Sequence, residues 1–280
     1  MRGDGDIVKP TRLTPSRHDS PPSGAKPEPV PGDVGRQPAR LRLNDCACRR
    51  KVIGVLLLGS ATSAVVASGG KVLGSARHPL NTADFSAFLL QAQASGAKVV
   101  ALANAGGDMV NATKQADEFG LTRAGKTVVS LLTFITDVNS VGLKAMQGLT
   151  FITAFCWDRD DESRAWSKRF FELRKRMPTM AHAAIYSAVR HYLRAIEAAG
   201  TDEAKAVMAK MREIPVNDFY AKNERVREDG RMVHDMYFVQ VKAPEESNGP
   251  WDYYENPVDH SGRSSFSSLD EGGCPLVKQR

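Results

Sequence analysis

Residues 82–121, TADFSAFLLQAQASGAKVVALANAGGDMVNATKQADEFGL, decide the reading of this chain. A start at Asp84-Phe85, capped by Thr82 or Asp84, leads into a segment with Phe85, Phe88, Leu89 and Ala92 on one helical face. Residues 98–103 (KVVALA) then form an apolar run of the kind buried on both faces of a parallel sheet. A Gly-Gly loop follows, and residues 109–119 make a second helix closed by Gly120. Helix, strand, loop and helix in this order are one unit of a βα repeat.

The repeat extends outward. Residues 71–77 (KVLGSAR) are a short strand candidate before the quoted stretch; after it, 127–134 (TVVSLLTF) and 149–157 read as strands flanking a helix over 138–147. The pattern predicts an α/β fold, a doubly wound parallel sheet with helices on both faces. After Trp157 the character changes. Asp160, Asp161 and Glu162 open a helix continuing over 164–176, with Trp166, Phe170 and Leu173 inward and Lys168, Arg169, Arg174, Lys175 and Arg176 as a solvated face. No glycine turn or closing Glu completes a calcium loop, so the acidic trio stabilises the positive end of the helix. Residues 178–200 (PTMAHAAIYSAVRHYLRAIEAAG) run as one helix from Pro178 to Gly200, with Ile185, Val189, Leu193 and Ile196 at helical spacing. A helix over 202–211, a turn at 228–230, a strand over 231–242 and a strand candidate at 251–254 complete the pattern, and the polar run beyond Pro257 reads as tail.

Charge is distributed unevenly. Residues 1–51 contain 11 Lys+Arg against 6 Asp+Glu, so five of the six net positive charges lie there and no folded nucleic-acid-binding face is implied. The same segment holds 8 of the 15 prolines and few large apolar residues before Leu41, which predicts a disordered leader over 1–50. Arg49, Arg50 and Lys51 precede VIGVLLLGSATSAVVASGG, which fits a secretory signal with small residues near positions 61–67; the paired arginines are similar to a twin-arginine signal. The alternative for this apolar segment, 51–68, is a buried strand or helix, and it is too short to span a bilayer.

The cysteines, Cys46, Cys48, Cys156 and Cys274, show no C-x-x-C pair and no clustered His, which argues against a metal or redox site; Cys274 is a candidate disulfide half. Gly106-Gly107-Asp108 lacks both G-x-G-x-x-G spacing and the Lys-Ser/Thr of a phosphate loop, and neither a G-x-S-x-G elbow nor an H-E-x-x-H helix occurs. No catalytic residues, cofactor or metal are expected.

The Asp84-Phe85 helix start, the strand ending in Asn104-Ala105-Gly106-Gly107-Asp108, the pair Phe119-Gly120, and the helix carrying Pro178, Ala183, Tyr186, Ala188, Ala195 and Ala199-Gly200 together resemble type I periplasmic solute-binding proteins of the branched-chain amino-acid (leucine-binding-protein-like) transporter class. The segment DGRMVHDMYFVQVK is similar to the one with which such proteins carry the chain back between lobes. The resemblance covers roughly residues 63–256 and implies two α/β lobes, a ligand cleft at strand carboxyl ends, hinge closure, ABC permease subunits in the inner membrane as partners, and a periplasmic location. On this chain it implies an α/β ligand-binding lobe over 69–157, a partial second lobe with hinge crossings over 158–256, and a tail over 257–280. Two loops carry over to the cleft: Asn104, Ala105, Gly106, Gly107 and Asp108, where backbone amides can approach a ligand, and Thr136, Asp137 and Asn139, where a carboxylate can pair with an amine. Phe155 and Trp157 are candidates to pack against an apolar ligand body. For each of these residues the alternative is a plain βα turn, a helix cap or core.

Two departures qualify the resemblance. Amino-acid-binding members place an aromatic residue where this chain has Ala105-Gly106, which opens the ligand class to aliphatic or aromatic acids. The opening strands and helices of the first lobe have no counterpart in residues 1–62, so the apolar faces of the 178–200 helix and the 231–242 strand are expected to lack cover. The implied function is the substrate-binding component of an importer; the alternatives are a ligand-sensing receptor module of the same fold, a truncated remnant and, remotely, an enzyme on a doubly wound sheet.

Overall fold

The computed structural model describes residues 52–255, 258–260, 266–269, 274 and 277. The expected leader, with Cys46 and Cys48, lies outside them. Helix α1 (Val52–Ala67) occupies the apolar segment, which excludes the strand alternative there. Its carboxyl-terminal half is largely exposed, and among the described residues no helix is long and apolar enough to cross a membrane. Residues 71–77 form no strand: Val72 and Leu73 are both exposed, so neither face has a sheet to bury against.

Helix α2 (Ser86–Ala94) begins two residues later than the Asp84 start suggested. The Asp84 carboxylate accepts from the Ser86 N–H at 2.8 Å, while Thr82 donates its hydroxyl to the Pro79 carbonyl, so neither is the N-cap. Phe85 and Leu89 are buried as the periodicity requires. Strand β1 (Val99–Leu102) follows, then α3 (Gly107–Glu118), after which Gly120 turns left-handed at φ +66°. Strand β2 (Thr127–Ser130) stops short of Phe134 because Ser130 and Thr133 join side chains at 2.6 Å and the backbone turns into the next helix. The single helix expected over 138–147 is two, α4 (Ile135–Val141) and α5 (Leu143–Met146), broken where Gly142 takes φ +93°. Strand β3 (Thr150–Thr153) leads into α6 (Asp161–Arg174), α7 (Met180–Ala199) and α8 (Ala204–Glu213). The Asp160 carboxylate accepts from the Ser163 N–H at 2.7 Å, which makes it the N-cap of α6, with Asp161 and Glu162 in the first turn. Leu173, expected inward, is 82% exposed.

Strands β4 (Met236–Gln240) and β5 (Val258–His260) complete one sheet in the order β1-β2-β3-β4-β5. The pairing is parallel from β1 to β3 and antiparallel from β3 to β5, so the sheet is mixed rather than wholly parallel. Residues 251–254 contribute only an isolated bridge, Val241 to Tyr254, and β5 falls within the stretch that reads as tail. Such a short strand is set by its pairing with β4, which local pattern cannot show.

Two clusters make the core. Leu102, Val128, Phe151, Tyr237 and Val239 from the strands pack with Phe85, Leu89, Met109, Ala112, Ala116, Val138 and Met146 from helices α2 to α5. Each large side chain withdrawn in this way contributes about 1.5–3 kcal/mol. The second cluster joins Phe155, Trp166, Ala183, Val216, Phe219 and Tyr220, with Trp166 stacked on Phe219 at 4.3 Å. Helix α7 is held to its neighbours by small and polar groups: the Ser187 hydroxyl donates to Asp218 at 2.8 Å, and the His191 Nε2 meets the Met211 carbonyl at 2.8 Å.

Among the described residues, large apolar side chains are exposed on the sheet and on α7. On the sheet, Val99, Ile152 and Phe238 are 53%, 51% and 38% exposed, so β1 is an exposed edge rather than a strand buried on both sides. On α7, Ile185, Val189 and Leu193 are 65%, 52% and 58% exposed while Ala183, Ser187, His191 and Ala195 are buried.

Candidate functional site

Leu102 of β1 pairs with Ser130 of β2 at the carboxyl ends of two parallel strands, which sets the following loops side by side. Ligands of open α/β sheets are met at this edge. At the end of β1, Gly106 is the N-cap of α3 with φ +59° and ψ −134°, and no side chain caps the helix there. A Cβ on Gly106 or Gly107 would meet no atom within 4 Å. Both glycines are exposed, and the positive end of this 12-residue helix carries no side-chain cap. The Asn104 amide donates to the Asp108 carbonyl at 3.4 Å, and its Oδ1 is buried without a hydrogen-bond partner. Ala105 is half-buried beside them. The Asp108 carboxylate is buried and accepts from the Asn81 N–H at 3.2 Å, which ties the preceding loop to α3.

At the end of β2, Thr136 and Asp137 lie in the first turn of α4 and are half-buried. Asp137 Oδ2 accepts from the Phe134 N–H at 2.9 Å, so its carboxylate closes the start of the helix. Burial raises its pKa above the ordinary carboxylate value, against the lowering effect of that hydrogen bond. Asn139 is exposed and accepts from the Tyr253 hydroxyl at 2.7 Å.

The third pair of candidates divides differently. Phe155 is 4% exposed and edge-on to Trp166 at 5.7 Å and Phe219 at 5.8 Å, so its ring is core. Trp157 is half-buried and donates its indole N–H to the Trp251 carbonyl at 2.9 Å. Between them Cys156 is buried, and burial, followed by the nearby Asp158 charge, pushes its thiol up to about 12. Such a thiol is neither a nucleophile nor a metal ligand near neutral pH. Among the described residues no three His, Cys, Asp or Glu side chains gather as metal ligands would. The structure therefore places Asn104, Ala105, Gly106 and Asp108 after β1 and Thr136 and Asp137 after the neighbouring β2, and puts Phe155 in the second cluster.

Sequence reading missed two features near this edge. Arg159 donates to the Tyr237 hydroxyl at 2.7 Å, to the Phe219 carbonyl at 2.6 Å and to Asp160 at 2.8 Å, locking the start of α6 to β4. A lone Arg beside an acidic run gives no sign of partners 60 and 78 residues away. The Tyr253 to Asn139 bond, 114 residues apart, is equally invisible locally. A cavity of about 490 Å³, lined by Asp117, Arg123, Gln147 and Glu246, sits at the opposite end of the strands, before β2 and β3 begin.

A family profile described as periplasmic binding protein matches residues 52–250. A periplasmic binding protein from Burkholderia mallei is 47% identical, with a TM-score of 0.76 over 81% of this chain and 60% of its own. A branched-chain amino acid ABC transporter periplasmic ligand-binding protein from Burkholderia xenovorans LB400 is 38% identical, with a TM-score of 0.74 over 79% of this chain and 59% of its own. An amino acid ABC transporter substrate-binding protein from Pseudomonas fluorescens Pf-5 shares the fold at 24% identity and a TM-score of 0.71, over 80% of this chain and 60% of its own. This chain thus spans about three fifths of the length of these structures. A search of curated proteins finds no significant match.

Proposed function

Because the chain belongs to the periplasmic binding protein family, a solute-binding rather than enzymatic family, we propose that it is the substrate-binding component of an ABC-type importer. In this reading it works in the periplasm, delivers its ligand to permease subunits in the inner membrane, and takes a branched-chain amino acid or a related organic acid or amide.

The observation that carries the reading is the unobstructed glycine pair at the amino end of α3. A ligand carboxylate placed there accepts from backbone N–H groups and gains from the helix dipole, and no side chain stands in the way. The unpartnered Asn104 Oδ1 adds an acceptor suited to an ammonium or amide N–H. Thr136 supplies a hydroxyl beside them. Asp137 takes the ligand amine only while it also serves the Phe134 N–H, which one carboxylate's two oxygens allow. In this reading Trp157, its indole N–H engaged by the Trp251 carbonyl, offers its ring for apolar contact. Phe155 has no part in it.

The test is a thermal-shift screen of the full chain against branched-chain amino acids, short-chain acids and aromatic acids. A ligand at about one hundred times its Kd stabilises the folded state by about 2.7 kcal/mol, which a melting curve resolves readily. Asp137→Asn keeps an acceptor for the Phe134 N–H, so its unliganded melting should be nearly unchanged while the shift with an amine-bearing ligand falls. An undiminished shift removes Asp137 from the site. A cooperative melt that no ligand class moves overturns the binding reading.

A further inference from the structure

We infer that the cavity at the amino end of β2 and β3 is a second small-molecule site, and that it takes a linear aliphatic di- or polyamine. It holds about 490 Å³, within the range of pockets that enclose small ligands. Its floor is formed by Ala116, Val128, Met146, Leu149 and Val241, all buried. Main-chain bonds hold that floor in shape: Gly148 donates its N–H to the Val241 carbonyl at 2.9 Å, and Val241 donates its own to the Leu149 carbonyl at 3.0 Å. Thr113, 3% exposed, adds a hydroxyl to the wall. That hydroxyl donates to the Met109 thioether at 3.4 Å, a weak acceptor, and its oxygen keeps the capacity to accept from a ligand N–H.

The rim sets the charge of the ligand. Asp117, Glu246 and Glu255 bring three carboxylates to it, against one guanidinium, that of Arg123. Arg123 is folded back over the end of α3, where it donates to the Asp117 carbonyl at 2.9 Å and a Cβ on Gly120 would stand 3.2 Å from its Nε. The ion pairs among the described residues involve none of the three carboxylates. Glu246 spends one oxygen on the Ala243 N–H at 2.7 Å, and Glu255 is fixed by its own N–H, which donates to the Gln240 carbonyl at 2.9 Å. The excess of acid over base draws a cation. A single metal ion does not match, because among the described residues no three His, Cys, Asp or Glu side chains gather as ligands of one ion. Carboxylates spread around an apolar floor match ammonium groups separated by methylenes, with the ends paired on the rim and the body laid on the floor. The cavity lies at the other end of the strands from residues 104–108 and 136–137, so this second site stands apart from the solute cleft.

Isothermal titration of the full chain with spermidine tests this site, with butylamine, butanediol and magnesium chloride as comparisons. Saturable spermidine binding is expected, tighter than that of butylamine and without counterpart for the neutral diol or the metal ion. Asp117→Asn combined with Glu255→Gln removes two charges at near-constant shape and should weaken spermidine about fivefold or more, with the parent's affinity falling as salt is added. Thermal melts of the unliganded variant should match the parent, which separates lost binding from lost folding. Asp137→Asn, in the solute cleft, should leave spermidine affinity unchanged. No saturable binding at about millimolar spermidine overturns the proposal, as does an affinity indifferent to the double substitution. Equal binding of magnesium or of the diol overturns the ligand class. Spermidine binding that is lost with Asp137→Asn instead moves the amine to the cleft, refuting the cavity while leaving the proposed solute site standing.

Discussion

Gly106 and Gly107 are adjacent and equally unobstructed, yet adding the same methyl group to each should have opposite effects. Gly106 holds φ +59° and ψ −134°, a conformation open to glycine and strained for any side-chain-bearing residue; Gly107 begins α3 with an ordinary helical backbone. Since a Cβ at either position would meet nothing within 4 Å, collisions do not enter and backbone energetics alone decide the sign. Gly106→Ala should cost about 1–3 kcal/mol in strain. Gly107→Ala should gain about 0.4–1 kcal/mol by reducing the entropy of the unfolded chain. At about 2–4 °C per kcal/mol for a folded body of this size, the first lowers Tm by roughly 2–12 °C and the second raises it by roughly 1–4 °C. Thermal melts followed by far-ultraviolet dichroism at one scan rate measure both. Shifts in the same direction, or a neutral Gly106→Ala, would refute the claim that this turn needs glycine for its conformation.

Two further outcomes follow from buried and capping groups. Cys156, with its thiol pushed up to about 12, should resist alkylation at pH 8 in the folded protein and react only after denaturation, as mass spectrometry of the modified peptides would show; rapid native labelling would contradict its burial. His182 accepts from the Thr179 N–H at 3.1 Å through Nδ1 at the start of α7, and burial, then Arg176 and Arg174, hold its pKa below 6.5. A depressed histidine pKa means stability present above the unfolded value and lost as pH falls below it. Urea melts should therefore show the parent weakening between pH 7.5 and 5.5. His182→Ala should lose about 0.5–2 kcal/mol at pH 7.5 as a missing cap partner and show less pH dependence; an unchanged slope would separate His182 from it.

The α/β class, the order of elements and the loop at residues 104–108 were legible because they depend on local pattern: apolar periodicity, glycine at turns and acids at helix starts. Asp160 to Glu162 were read as a helix start; Asp160 caps α6, and Asp161 and Glu162 lie in its first turn. Boundaries failed where a single torsion or a hydroxyl contact decides them, as at Gly142, which splits one expected helix, and at the Ser130 to Thr133 contact, which ends β2. The strand proposed at residues 71–77 has the right residues but no neighbouring strand, and β5 the reverse. Strand propensity is largely a measure of available partners, so a single segment carries little of it.

Sequence alone determined the α/β class and most of its helices and strands, that five of the six net positive charges lie in residues 1–51, and that the chain resembles a solute-binding family. Tertiary structure decided the direction of the last two strands, the withdrawal of Phe155 into core, the tie of Asp137 to the Phe134 N–H, and the exposure of Ile185, Val189 and Leu193. The first group depends on neighbours a few residues apart. The second depends on which surfaces meet across dozens of residues, and helical spacing is the same whether a stripe is covered or bare.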